Sequence, residues 1–225
     1  FGVELADIVA LEQDLTGIPR VALKCMEYVE QHGFACEGIF RVNGKASVLE
    51  ALRAAFNARS PDIDFSGVNA YDVGQLFKRF LAELPDPVFS GSVVDACVAY
   101  WRANAEPGRV VREELRQLTA MLPAEKAAVL RHALLFLGMW AGESGLRADA
   151  VPLLLAPALV RQPISYNGQC AVLRVVADLQ HCINDLGIPS DVAAVRLARD
   201  SARGAEAARA LARVVTPVTV FSRDL

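Results

Sequence analysis

Paired cysteines, clustered histidines and an excess of positive charge are all missing from this chain, and each absence closes off a class of function. The five cysteines (Cys25, Cys36, Cys97, Cys170 and Cys182) are odd in number and nowhere spaced as CxxC. They read as free thiols of a reducing cytosol, mostly filling core space. The three histidines lie far apart and no His/Cys cluster has zinc spacing, so no metal site is expected. Lys and Arg number 23 against 26 Asp and Glu, a formal charge of −3, which argues against a nucleic-acid binder that works by bulk electrostatics. The longest apolar run, 150–160, is too short to cross a bilayer and is interrupted by Pro152 and Pro157. No secretory signal opens the chain, which starts at Phe1 rather than Met, and the expectation is a segment cut from something larger. Internal repeats and low-complexity tracts are absent too.

What is present is helical periodicity. With 225 residues, 53% of them apolar, the chain can bury a full core as one domain. Val21, Cys25, Met26 and Val29 form one stripe within 20–32, stopped by Gly33 as a C′ residue. Leu49, Leu52 and Phe56 form a second within 47–56. Val73, Leu76, Phe77, Phe80, Leu81 and Leu84 form a third, stopped by Pro85 and Pro87. Further helices are expected over 88–103, 109–121, 123–142, 149–160 and 171–186, with 123–142, poor in charge after Arg131, as the central buried one. Residues 59–69 and 161–168 read as loops, and only 216–221 alternates like a short strand. Trp101 and Trp140 read as packing residues. The expected architecture is an all-α bundle of eight or nine helices, with a domain over 1–188 and a C-terminal extension over 189–225. In that extension Arg196, Arg199 and Arg203 share one helical face, diluted by Asp200 and Glu206, and read as a solvated surface.

The run Glu37-Gly38-Ile39-Phe40-Arg41-Val42-Asn43-Gly44 stands out from this background. It puts one permanent cation, Arg41, on a short turn between two glycines and between two amphipathic helices. From composition alone Arg41 would be an ordinary surface arginine.

Three segments in order change that reading. The first is Gly2-Val3-Glu4-Leu5, then Ile18-Pro19 and a helix, then the Arg41 run. The second is Leu76-Phe77-Lys78-Arg79-Phe80-Leu81-Ala82-Glu83-Leu84-Pro85-Asp86-Pro87. The third is 153–159, ending Ala156-Pro157-Ala158-Leu159. Together, over residues 1–186, they resemble the Rho GTPase-activating (RhoGAP) domain family, which is all-helical. The resemblance implies that Arg41 is an arginine finger inserted in trans into a GTP-bound Rho-family GTPase. Gly38, Asn43 and Gly44 would shape its loop for close approach, and Lys78 would lie beside the loop on the docking surface. The domain would need no cofactor, since GTP and Mg²⁺ belong to the partner. It would be cytoplasmic, with any membrane recruitment coming from other parts of a larger protein.

The chain also departs from the family pattern. Ala82 stands where the pattern has an arginine that helps hold the finger loop by hydrogen bonds. Ser144 and Ala150 stand where it has two asparagines, the second of which meets the GTPase. Pro152 sits in a helix the family builds without it, and falls in the first turn if Asp149 is the N-cap. Arg79 matches no family position; Arg79 and Lys45 are nevertheless the nearby cations that could stand in for the missing arginine. Two readings follow: an activator whose finger retains enough support, or a binding module that recognises GTP-loaded GTPases or another signalling partner without accelerating hydrolysis.

Overall fold

The structure, a computed structural model, describes residues 1–12, 17–33, 36–60, 63–106, 109–143, 150–161 and 163–186. Among these are nine α-helices: α1 (Leu5–Glu12), α2 (Arg20–His32), α3 (Ala46–Asn57), α4 (Ala70–Ala82), α5 (Gly91–Ala103), α6 (Arg112–Ala120), α7 (Ala124–Glu143), α8 (Ala150–Leu159) and α9 (Tyr166–Cys182). The extension, the 188/189 boundary and the possible strand at 216–221 lie outside the described residues.

Helix α4 is the spine of the functional half. Asn69 caps it by accepting the Tyr71 N–H at 3.1 Å, and its core face carries Val73, Leu76, Phe77, Phe80 and Leu81. It packs on α2, α3 and α8. Helix α7 is buried along most of its length, with Val129, Leu130, Ala133 and Leu134 sealed from solvent, and touches α1, α2, α8 and α9. That agrees with its low charge in the sequence.

Several details differ from expectation for local reasons. Helix α5 starts at Gly91 rather than 88, because Val88 and Phe89 are drawn into the core and the Phe89 N–H bonds the Leu159 carbonyl at 2.8 Å. Helix α9 starts at Tyr166, within the expected loop, because Ser165 caps it through the Gly168 N–H at 3.1 Å. Helix α1 was hidden by its shortness. Gly33 closes α2 in a right-handed conformation rather than a left-handed one. Its value is space: a Cβ there would come within 2.6 Å of Ile39 Cδ1.

Helix α3 ends unusually. The Ser60 N–H bonds the Ala55 carbonyl at 3.2 Å and the Arg59 N–H bonds that of Phe56 at 3.0 Å, the two bonds of a Schellman motif. The residue that must turn left-handed is Arg59, at φ 54°. Glycine adopts this conformation without steric cost. Arg59→Gly is therefore expected to stabilise the domain by about 0.5–1 kcal/mol, the steric relief less the added unfolded-state entropy; a rise in urea midpoint at constant m-value would register it.

Away from the Arg41 loop, one buried polar network ties α5, α9 and the segment before α6. The Tyr100 hydroxyl donates to Asp178 Oδ2 at 2.8 Å and accepts the Val111 N–H at 3.3 Å. Arg174 Nε donates to the same carboxylate oxygen at 2.7 Å and its Nη2 to the Arg109 carbonyl at 2.8 Å. Burial, with the Asp178 carboxylate adding to it, pushes the Tyr100 phenol up to about 12, so it stays a donor at any working pH. Tyr100→Phe should cost about 1–3 kcal/mol, because the Val111 N–H loses its partner along with the hydroxyl. Chemical unfolding would show the loss as a lower urea midpoint.

Cys25, Cys97 and Cys182 are buried as core filler, and burial raises the Cys97 thiol to about 12, which keeps it unreactive. Trp101 packs against the core; the Trp140 side chain lies outside the described residues. No helix among the described residues is long and apolar enough to cross a membrane.

Candidate functional site

The Arg41 loop is held from below by its own hydrophobic residues. Ile39 and Phe40 are 0% and 1% exposed. The Phe40 ring meets Phe136 of α7 edge-on at 6.3 Å. The backbone then folds back on itself, with the Arg41 and Val42 N–H groups both bonding the Gly38 carbonyl, at 2.7 and 3.0 Å. Gly38 makes this possible at φ +73°, where a side chain would be strained. Burial of residue 40 and the turn through 38 leave Arg41 and Val42 outside. Val42 is 49% exposed, and the Arg41 side chain has no hydrogen bond or ion pair among the described residues. Asn43 is exposed on the same loop.

Behind the loop stands α4, and the fit is close. A Cβ on Gly74 would meet the Ile39 carbonyl oxygen at 3.0 Å and Phe40 Cδ1 at 3.3 Å. A Cβ on Gly44 would meet Asp72 Oδ1 at 2.7 Å and Asp72 Cα at 2.9 Å. Gly44 thus serves an internal contact: its absent side chain lets the loop close onto α4. Asp72 is 4% exposed in the first turn of α4 and accepts the Lys45 N–H at 2.5 Å. A carboxylate there also sits well with the positive end of the helix dipole.

Three side chains of α4 reach the loop's carbonyls. The Tyr71 hydroxyl donates to that of Glu37 at 3.0 Å, Gln75 Nε2 to that of Val42 at 3.0 Å, and Lys78 Nζ to that of Phe40 at 3.0 Å. Lys78 is half-buried, and burial lowers its ammonium below the ordinary lysine value. Lys78, expected beside the loop on the docking surface, grips the carbonyl immediately before Arg41. Tyr71, Gln75 and Asp72 were missed from sequence, although 71, 75 and 78 follow the i, i+4, i+7 spacing of a single helix face.

Neither cation suggested as a stand-in for the missing arginine fills that part. Arg79 is occupied by Glu50 at 2.6 Å and Glu83 at 2.5 Å, and Arg53 joins the same carboxylates at 3.4 and 3.1 Å. The two carboxylates hold the Arg79 guanidinium above its ordinary pKa, with Glu83 the larger influence. Lys45 contributes its backbone N–H, while its side chain has no hydrogen bond or ion pair among the described residues. Ala82 is the exposed last residue of α4. Ala150 is the first residue of α8, and Pro152, buried in that helix's first turn, removes no required helical N–H. Ser144 lies outside the described residues.

Comparison with known proteins agrees with this geometry. The chain is 30% identical to human GEM-interacting protein over 178 residues, covering 72% of this chain and 18% of that protein. It is 28% identical to human Rho GTPase-activating protein 30 over 184 residues (78% of this chain, 16% of that protein). It is also 28% identical to Rho GTPase-activating protein gacY of Dictyostelium discoideum over 185 residues (80% and 24%). The chain thus spans less than a quarter of the length of these relatives. The fold matches the crystal structure of human Rho GTPase-activating protein 15 with a TM-score of 0.71 at 17% identity, over 83% of this chain and 91% of that one. The RhoGAP domain profile matches residues 19–164, well over half the chain and inclusive of both the Arg41 loop and α4, and the chain belongs to the RhoGAP domain family.

Proposed function

We propose that this domain stimulates GTP hydrolysis by a GTP-bound Rho-family small GTPase, with Arg41 inserted in trans as the catalytic residue. The observation that carries the reading is an exposed guanidinium, unpaired among the described residues, on a loop whose neighbouring residue is fully buried. Relatives named as Rho GTPase-activating proteins support it.

Phosphoryl transfer from GTP to water spreads negative charge over the moving group and the leaving oxygen, and calls chiefly for positioning and charge stabilisation. A guanidinium is always charged and offers several donors in one plane, so it can bond two of those oxygens at once. The domain contributes that group already placed. The partner GTPase supplies GTP, Mg²⁺ and the orientation of the attacking water. Val42, Asn43 and the partly exposed Ala150 belong to the docking surface in this reading. Ala150 contributes contact without a hydrogen bond, and Ser144 is the remaining polar residue of that pair.

Single-turnover hydrolysis by a panel of GTP-loaded Rho-family GTPases, with and without the domain, tests the proposal. Acceleration of at least one member is expected. Saturating association without acceleration across the panel would overturn it in favour of a binding module.

A further inference from the structure

The residue the family pattern uses to steady the finger loop is missing at 82, yet the loop is not unsupported. Positions 71, 75, 78 and 82 form one stripe along α4, at i, i+4, i+7 and i+11. The first three each donate to a loop carbonyl, and the fourth is an alanine. Two of the acceptors bracket Arg41: Lys78 holds the Phe40 carbonyl, in the peptide joining 40 to 41, and Gln75 holds the Val42 carbonyl, in the peptide joining 42 to 43. The peptide before Arg41 is thereby fixed directly. The one after it is held between the Val42 N–H bond to the Gly38 carbonyl and the grip of Gln75 on the next peptide, and together these set the direction in which the Arg41 side chain leaves the loop.

We infer that Gln75 is a positioning residue for Arg41, supplying from two turns earlier on α4 the support that the family pattern draws from an arginine at 82. The inference rests on the activator reading above. Gln75 is suited to the part because its amide donates without adding charge beside the half-buried Lys78 ammonium. It is partly exposed and leaves the core face to Val73, Leu76 and Phe77, so its loss opens no cavity.

The test is single-turnover hydrolysis as a function of domain concentration, which separates the maximal rate from the half-saturating concentration. Gln75→Ala is expected to lower the maximal rate about tenfold, the worth of one hydrogen bond, with half-saturation and urea midpoint little changed. Gln75→Glu, similar in shape but turning a donor into an acceptor that faces a carbonyl, should lose at least as much. The decisive variant is Gln75→Ala combined with Ala82→Arg, which should recover most of the lost rate. Faster hydrogen exchange at the Arg41 and Val42 amides in Gln75→Ala is the matching structural signature. A wild-type maximal rate in Gln75→Ala, or a loss that Ala82→Arg leaves untouched, overturns the inference while the activator reading stands on wild-type acceleration and its dependence on Arg41. No acceleration by the wild-type domain at saturation overturns both.

Discussion

Arg41→Ala is expected to reduce stimulated GTP hydrolysis almost to the GTPase's own basal rate while leaving association with the GTP-bound form nearly intact. An arginine finger supplied in trans is worth about 10³–10⁵ in rate, or on the order of 4–7 kcal/mol of barrier. Because the stabilised charge develops only in the transition state, the loss falls on the rate rather than on ground-state affinity. The fold should not notice: Arg41 has no internal partner among the described residues, and substitutions at such surface positions change stability within about 0.5 kcal/mol. Arg41→Lys should restore only a small part of the rate, since an ammonium is a point charge that cannot span two phosphoryl oxygens in one plane. Single-turnover kinetics with a parallel binding isotherm separates the two quantities. Acceleration within a few-fold of wild type in Arg41→Ala would show that the loop acts by docking alone.

The second large effect is expected one residue earlier. Phe40→Ala should cost about 3–5 kcal/mol of stability, in the range for emptying a sealed aromatic site. Phe40 is among the largest fully buried side chains of the described residues, edge-on to Phe136 and in reach of the space above Gly74. The cavity would open directly beneath the finger. Activity should therefore fall even in the folded fraction, because the loop loses the contact that fixes its height above α4. Phe40→Leu keeps part of the volume and should cost distinctly less in both respects. Equilibrium urea unfolding, with hydrolysis measured where more than nine-tenths of the variant remains folded, distinguishes the two consequences. A loss of stability without loss of maximal rate would mean that the α4 hydrogen bonds alone hold the loop.

The sequence was informative where one residue type has one use. The 3.6-residue stripes of α2 and α4 placed both helices, and α2 runs over the expected 20–32. The Arg41 run and the Lys78 segment carried the family. It was silent where a residue's role depends on what lies opposite. On a helix, Tyr71, Gln75 and Asp72 look like a solvated polar face, and nothing in their spacing tells a face turned to water from one turned to loop carbonyls. Gly44 and Gly74 illustrate the same gap. Each is needed because another chain segment passes within 3 Å of where its Cβ would be, a fact that only tertiary packing creates. Arg79 shows the converse: its charge suggested a role at the finger, but Glu50 and Glu83 claim it. The start of α9 was legible in principle, since Ser165 is a standard capping residue, but the turn-forming residues around it read more strongly as loop.

The sealed pair Ile39 and Phe40 also has a thermodynamic consequence for complex formation. A recognition loop that folds only on contact buries its own apolar side chains at that moment, adding to the heat-capacity decrease and to the unfavourable entropy of association. Here that apolar surface is already buried before any partner arrives. Calorimetry of this domain with the GTP-bound GTPase proposed as its partner should accordingly return a heat-capacity change without a contribution from burying Ile39 and Phe40, leaving the ordering of exposed side chains such as Arg41 as the loop's entropic cost.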